Sequence, residues 1–185
     1  MVVMPVMPQA GDWTVDDVDR LPDDGLRYEL VDGVLLVTPA PLPRHQLAVG
    51  ELFFVLRSAQ PPDLQAFVAP LDFRPTDRRS VQPDVLVVRR EDLGEKNITQ
   101  PLLLAVEVLS PGTRSVDLLL KRGVYQESGV ASYWLVDPDQ PSVTVLELDR
   151  AGRYQQVGFA RGDQVLRVER PFPVEIIPAR LVDPA

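Results

Sequence analysis

The hydrophobic positions of this chain follow two different periods. Leu102-Leu103-Leu104-Ala105-Val106-Glu107-Val108-Leu109 is apolar throughout except at Glu107, the pattern of a strand buried on both faces. Val81 to Val88, Leu64 to Phe73, Tyr133 to Val136, Val143 to Leu148 and Tyr154 to Phe159 read as further strands. A polar turn through Thr76 and Asp77 separates the pair 64–73 and 81–88. Tyr28 to Val37 reads as a hairpin, because Asp32-Gly33 is a turn pair that tolerates positive φ. Prolines at 39, 41 and 43 end it. Helical spacing appears in three places. Thr14 to Leu21 has an N-cap and acids in its first turn. Arg44 to Arg57 places His45, Ala48, Val49, Leu52 and Leu56 on one face before Pro61-Pro62 stops it. Arg114 to Ser128 follows a Ser110-Pro111-Gly112-Thr113 turn, with Val116, Leu119, Leu120, Gly123 and Val124 as its expected inner stripe and Gly129 as its stop.

These elements predict a mixed α/β (α+β) fold, a central mixed β-sheet flanked by a few helices. No internal repeat or linker divides the chain, so residues 1–185 are expected to form a single domain. Residues 1–12 are expected to be a loose tail, and the proline-rich 170–185 an extended tail or edge segment. A chain of 185 residues buries about 70% of the surface its unfolded form exposes.

Composition narrows the chemistry. There is no cysteine and one histidine, which removes disulfides, thiolate metal sites and Cys–His catalysis and fits a reducing cytoplasm. No apolar run is long enough to span a membrane, and the Pro-broken start lacks the basic segment of a secretory signal. The net charge of −8 argues against a nonspecific nucleic-acid coat. A local arginine patch can still meet phosphates; its candidates are Arg74, Arg78, Arg79, Arg89, Arg90, Arg114 and Arg122, with ordinary solvated arginines as the plain alternative. Glycine-rich phosphate loops, dinucleotide fingerprints, zinc spacings and a nucleophile elbow at Ser110 are all missing.

The remaining signal is acidic. A carboxylate in a buried strand is costly unless it is paired, coordinated or opens into a cleft, which marks Glu107. Pro83-Asp84 opens another apolar strand with a second acid. Lys121, one of only two lysines against 17 arginines, follows on the predicted helix. Mg²⁺ and Mn²⁺ take oxygen ligands, so Asp84, Glu107 and the backbone carbonyl of Val108 suit such an ion if the two strands are neighbours. Lys121 would then orient water or stabilise developing charge. Each residue has a plainer reading: a structural ion pair for Glu107, a turn-forming Asp84, an Asp117–Lys121 surface pair, an exposed strand acid at Glu29, a core or capping His45, and core packing for Tyr133 and Trp134.

Taken in order, Tyr28-Glu29-Leu30-Val31-Asp32-Gly33, His45-Gln46, Pro83-Asp84-Val85, Glu107-Val108-Leu109-Ser110-Pro111, Asp117, Lys121, Tyr125, Gly129-Val130 and Tyr133-Trp134-Leu135-Val136-Asp137-Pro138 resemble the Uma-type restriction endonucleases of the PD-(D/E)XK nuclease superfamily. The resemblance covers about residues 14 to 160. It implies a restriction-endonuclease-like core, Mg²⁺ or Mn²⁺ as cofactor, a DNA substrate and a hydrolytic endonuclease activity. Asp84 and Glu107 match the two metal acids, Glu29 the acid of the early hairpin or helix region that often joins the site, and Lys121 a lysine carried by the following helix. The usual superfamily lysine lies two residues after the second acid, where this chain has Leu109. A homodimer would suit cleavage of both strands of a duplex. The competing expectation is a nuclease-like domain that no longer cuts and serves as a nucleic-acid-binding or protein-interaction module.

Overall fold

The computed structural model describes residues 11–38, 40–110 and 116–183, the side chains of 116–118 excepted. A short helix α1 (Val15–Val18) leads in; Thr14 is its N-cap, as expected, and forms a reciprocal capping box with Asp17. The hairpin β1 (Arg27–Val31) and β2 (Val34–Thr38) turns at Asp32 and Gly33, both at positive φ. Helix α2 (Pro43–Ala59) has proline in its first turn and buries His45, Ala48, Val49, Leu52 and Leu56. Burial of Leu52 or Leu56 stabilises by about 2 kcal/mol each. Gln60 closes the helix, and its side chain bonds to Leu64 and Ala66 of the next strand.

Six strands form the central mixed sheet: β3 (Leu64–Val68), β6 (Val85–Arg89), β7 (Leu104–Val108), β8 (Ser132–Asp137), β9 (Ser142–Leu148) and β10 (Tyr154–Arg161), in the order β10-β9-β8-β7-β6-β3. Only β7 and β8 are parallel; the other neighbours are antiparallel. A second sheet joins the hairpin to β4 (Phe73–Thr76) and β5 (Arg79–Val81), in the order β2-β1-β5-β4. The expected strands 64–73 and 81–88 are therefore each divided between two sheets. Pro70 and Pro83 mark the breaks, because proline cannot donate to a ladder.

Strand alternation sorts the core into two halves. Leu104, Val106 and Val108 of β7, with Val85 and Val87 of β6 and Trp134 and Val136 of β8, pack under α2. Ala105, Leu86, Val88 and Tyr133 point the other way, toward the second sheet and helix α3 (Arg122–Glu127). The expected core roles of Tyr133 and Trp134 hold, since both are fully buried.

Two expectations need correction. The helix predicted over 114–128 is a π-helical segment at Val116–Lys121 followed by α3, and 111–115, with Arg114 and most of the predicted turn, lies outside the described residues. The wider π turn shifts the register, so Leu119 and Leu120 are 73% and 47% exposed while Lys121, Val124 and Tyr125 point inward. The C-terminal segment, expected as an extended tail or edge segment, is not a tail. The hairpin β11 (Leu166–Val168) and β12 (Val174–Ile176) and a 3₁₀ turn at Pro178–Leu181 place Phe172, Val174, Ile176 and Leu181 in the core beneath α2. Residues 1–10, Pro39 and Pro184, which carry other terminal and loop expectations, lie outside the described residues.

Candidate active site

The site forms where the two sheets meet. Strands β6 and β7 pair Val85 with Val106, and one further step of that antiparallel register sets Asp84 across from Glu107. Pro83 ends the ladder there, so the Asp84 carboxylate takes the place of a strand partner. Its Oδ2 accepts a hydrogen bond from the Val108 amide at 2.8 Å. His45 Nε2, from the inner face of α2, lies 3.2 Å from the same oxygen. An ionised carboxylate only accepts, so this ring nitrogen donates. The other ring nitrogen, Nδ1, is buried without a hydrogen-bond partner among the described residues.

Alternation brings Glu107 to the opposite face of β7 from Val106 and Val108. There it meets the inner side of the helical segment. Lys121 Nζ lies 3.2 Å from each Glu107 carboxylate oxygen, and the Tyr125 hydroxyl, one helical turn on, donates to Oε1 at 2.5 Å. The same ammonium lies 3.0 Å from Glu29 Oε1, which also accepts from the Gln82 amide at 2.7 Å. Lys121 is only 3% exposed. It therefore spans both sheets, contacting Glu107 of the central one and Glu29 of the hairpin. The Asp117 side chain, the partner in the plainer surface-pair reading, lies outside the described residues.

A second cation completes the cluster. Arg27 projects from the same face of β1 as Glu29, two residues on, and places one terminal nitrogen 3.1 Å from Asp84 Oδ1 and the other 3.4 Å from Glu29 Oε1. These contacts set the ionisation. Burial alone would push the Asp84 pKa up, but the His45 hydrogen bond and the Arg27 charge hold it well below the usual carboxylate range. Burial likewise opposes the Glu29 charge, and Lys121, Arg27 and the Gln82 amide reverse it, leaving the pKa lowered. Burial would lower the Arg27 pKa, yet the carboxylates of Glu29, Asp84 and Glu107 raise it. Burial and the neighbouring Glu107 charge push the Tyr125 phenol well above its ordinary value.

The structure thus brings together all five side chains singled out from the sequence, Asp84, Glu107, Lys121, Glu29 and His45, with the Val108 amide. Five described candidates for the arginine patch are engaged elsewhere, and Arg114 lies outside the described residues. Arg74 pairs with Asp19 and Asp72, Arg78 with Asp12, Arg79 with Asp32 and Glu127, and Arg89 with Asp92, while Arg90 bonds the Pro62 carbonyl. Arg27 and Tyr125 were not assigned roles by sequence reasoning. Strand spacing from Glu29 and helical spacing from Lys121 are the signals that could have found them.

Comparison with known proteins follows the same outline. The family model of Uma2, described as "Putative restriction endonuclease", matches residues 15–180. The chain belongs to that family. Among solved structures, the crystal structure of a "putative nuclease belonging to DUF820" from Anabaena variabilis is similar, with a TM-score of 0.65 and 22% identity over 84% of this chain and 88% of that one. At that identity the likeness shows the fold alone, a shared mixed α/β architecture. No curated protein matches the chain. No helix among the described residues is long and apolar enough to cross a membrane.

Carboxylate and backbone oxygens are the donors that a hard divalent ion takes. Two carboxylates stand at neighbouring strand ends, one of them held ionised, beside a strand-end backbone. Among the described residues no three acidic or imidazole side chains stand close enough to form a cage by themselves. Mg²⁺ and Mn²⁺ are commonly held by one or two carboxylates, with water and substrate oxygens completing the shell, so the residues fit that mode.

Proposed function

We propose that this Uma2 protein is a Mg²⁺- or Mn²⁺-dependent endonuclease that hydrolyses phosphodiester bonds of DNA. One observation carries the reading: Lys121 reaches Glu107 at 3.2 Å from the following helix, although Leu109 occupies the usual superfamily lysine position. Asp84, Glu107 and the Val108 carbonyl would hold the ion. Bound there, it would supply Lewis acidity toward a phosphate oxygen. The chain's own residues do the rest. The Val108 amide and His45 orient the Asp84 carboxylate and keep it charged. Tyr125 donates to Glu107 Oε1 and Lys121 to both oxygens, which together fix that carboxylate. The Lys121 ammonium stabilises negative charge developing on the phosphate or orients the attacking water, and Glu29 holds that ammonium in place. Two copies acting on one duplex would cut both strands.

The test is nicking or linearisation of supercoiled plasmid by purified protein with Mg²⁺ or Mn²⁺. Wild type is expected to cut. Lys121→Ala and Asp84→Asn, checked for folding, are each expected to lose about a hundredfold or more of the rate. Nucleic-acid or protein binding without metal-dependent cutting by the wild type would favour the non-cutting module instead.

A further inference from the structure

Arg27 sits where a divalent ion would need to be. Asp84 Oδ2 is already taken by the Val108 amide and His45, so Oδ1 is the oxygen left to face an incoming cation. That oxygen accepts from Arg27 at 3.1 Å. An ion bound to it would lie within a few ångströms of the guanidinium, and like charges so close in a half-dry site repel strongly.

The hydrogen bonds of Arg27 are long for an arginine. Charge-assisted N–H···O bonds usually run about 2.7–2.9 Å. In this protein Arg74 clasps Asp19 through both terminal nitrogens, at 3.0 and 2.7 Å. Arg27 instead gives one nitrogen to each of two carboxylates, at 3.1 and 3.4 Å, and its Nε is buried with no hydrogen-bond partner among the described residues. Its side chain is 25% exposed, so a path to solvent is open. Lys121, by contrast, is almost fully enclosed.

We propose that Arg27 is a displaceable internal cation that sets the metal affinity of the site. In the metal-free protein it neutralises Asp84 and Glu29 and holds the hairpin against the central sheet. When a divalent ion takes Asp84 Oδ1, the guanidinium swings outward, where a DNA phosphate is its natural partner. Ion and nucleic acid then favour each other's binding, because each relieves the charge the other leaves exposed. Arg27 acts through Asp84 and is a positioning residue. The inference rests on the metal-site reading given above.

The experiment is calorimetric titration of Mn²⁺, without nucleic acid, into the full chain and three variants whose folding is verified by circular dichroism and melting. Arg27→Met keeps the bulk and removes the charge; it is expected to bind Mn²⁺ about tenfold tighter than wild type, or more. Arg27→Lys keeps the charge and is expected to stay near wild type, a pattern that general loosening of the hairpin does not produce. Asp84→Asn is expected to abolish binding. If Arg27→Met does not fold, Arg27→Gln takes its place with the same expectation. Equal or weaker binding in the neutral variant, with binding still lost in Asp84→Asn, overturns the role of Arg27 and leaves the metal site standing. No binding in wild type or in the neutral variant overturns both.

Discussion

Asp84 and Glu29 remain charged in the interior because each gains more from its partners than it loses by desolvation. Lowered folded-state pKa values have a definite thermodynamic sign. The unfolded chain binds protons at ordinary carboxylate pH while the folded one does not, so these groups stabilise the fold at neutral pH and that stability is lost as pH falls. We expect the urea midpoint to be nearly flat from about pH 7 to 5 and to decline below about pH 4. Asp84→Asn should lower the midpoint at pH 7 and flatten the acid limb; an unchanged limb in that variant would show that Asp84 does not contribute to it. The raised pKa of Tyr125 has the opposite sign: its contribution is complete below the ordinary phenol range and is lost as pH rises beyond it.

At the scale of elements, the hairpin is the part that aims Arg27 and Glu29, and its turn depends on Gly33 at φ 82°. A methyl group there would meet the Arg78 guanidinium as well as an unfavourable backbone region. Gly33→Ala should cost about 1–3 kcal/mol in chemical denaturation. It should also weaken Mn²⁺-dependent cutting, since the hairpin face no longer meets β6 and β7 in register. This hairpin was readable from Asp32-Gly33, as was α2 from its apolar spacing, because local turn chemistry and a single face determine both. Glu107 and Asp84 were readable because a charge interrupting or opening an apolar run has few cheap explanations. The divided strands were not, since the alternation through Pro70 and Pro83 continues in sequence while the pairing partner changes in space. The inner stripe of the third helix failed for a related reason. α-helical spacing places Leu119 and Leu120 in the inner stripe, whereas the π turn exposes both and buries Lys121. Arg27 went unrecognised because its partner Asp84 is 57 residues away in sequence.

At the scale of the whole molecule, the C-terminal hairpin completes the core on the α2 side. Its prolines suggested an extended tail, but Phe172, Val174, Ile176 and Leu181 alternate with exposed residues and fill the space under the helix. Phe172→Ala should cost about 3–5 kcal/mol, read as a lowered melting temperature, without altering Mn²⁺ affinity once the protein is folded. The opposite side of the central sheet is built differently. There the divided strands leave a seam, and the contacts of Lys121 with Glu29 and Glu107, of Arg27 with Asp84, and of Glu29 with Gln82 all cross or border it. The ionic cluster therefore acts as a rivet between the sheets: a charge removed from Lys121, Arg27 or Glu29 loosens not one residue but the attachment of the whole hairpin sheet to the strands that carry the acids.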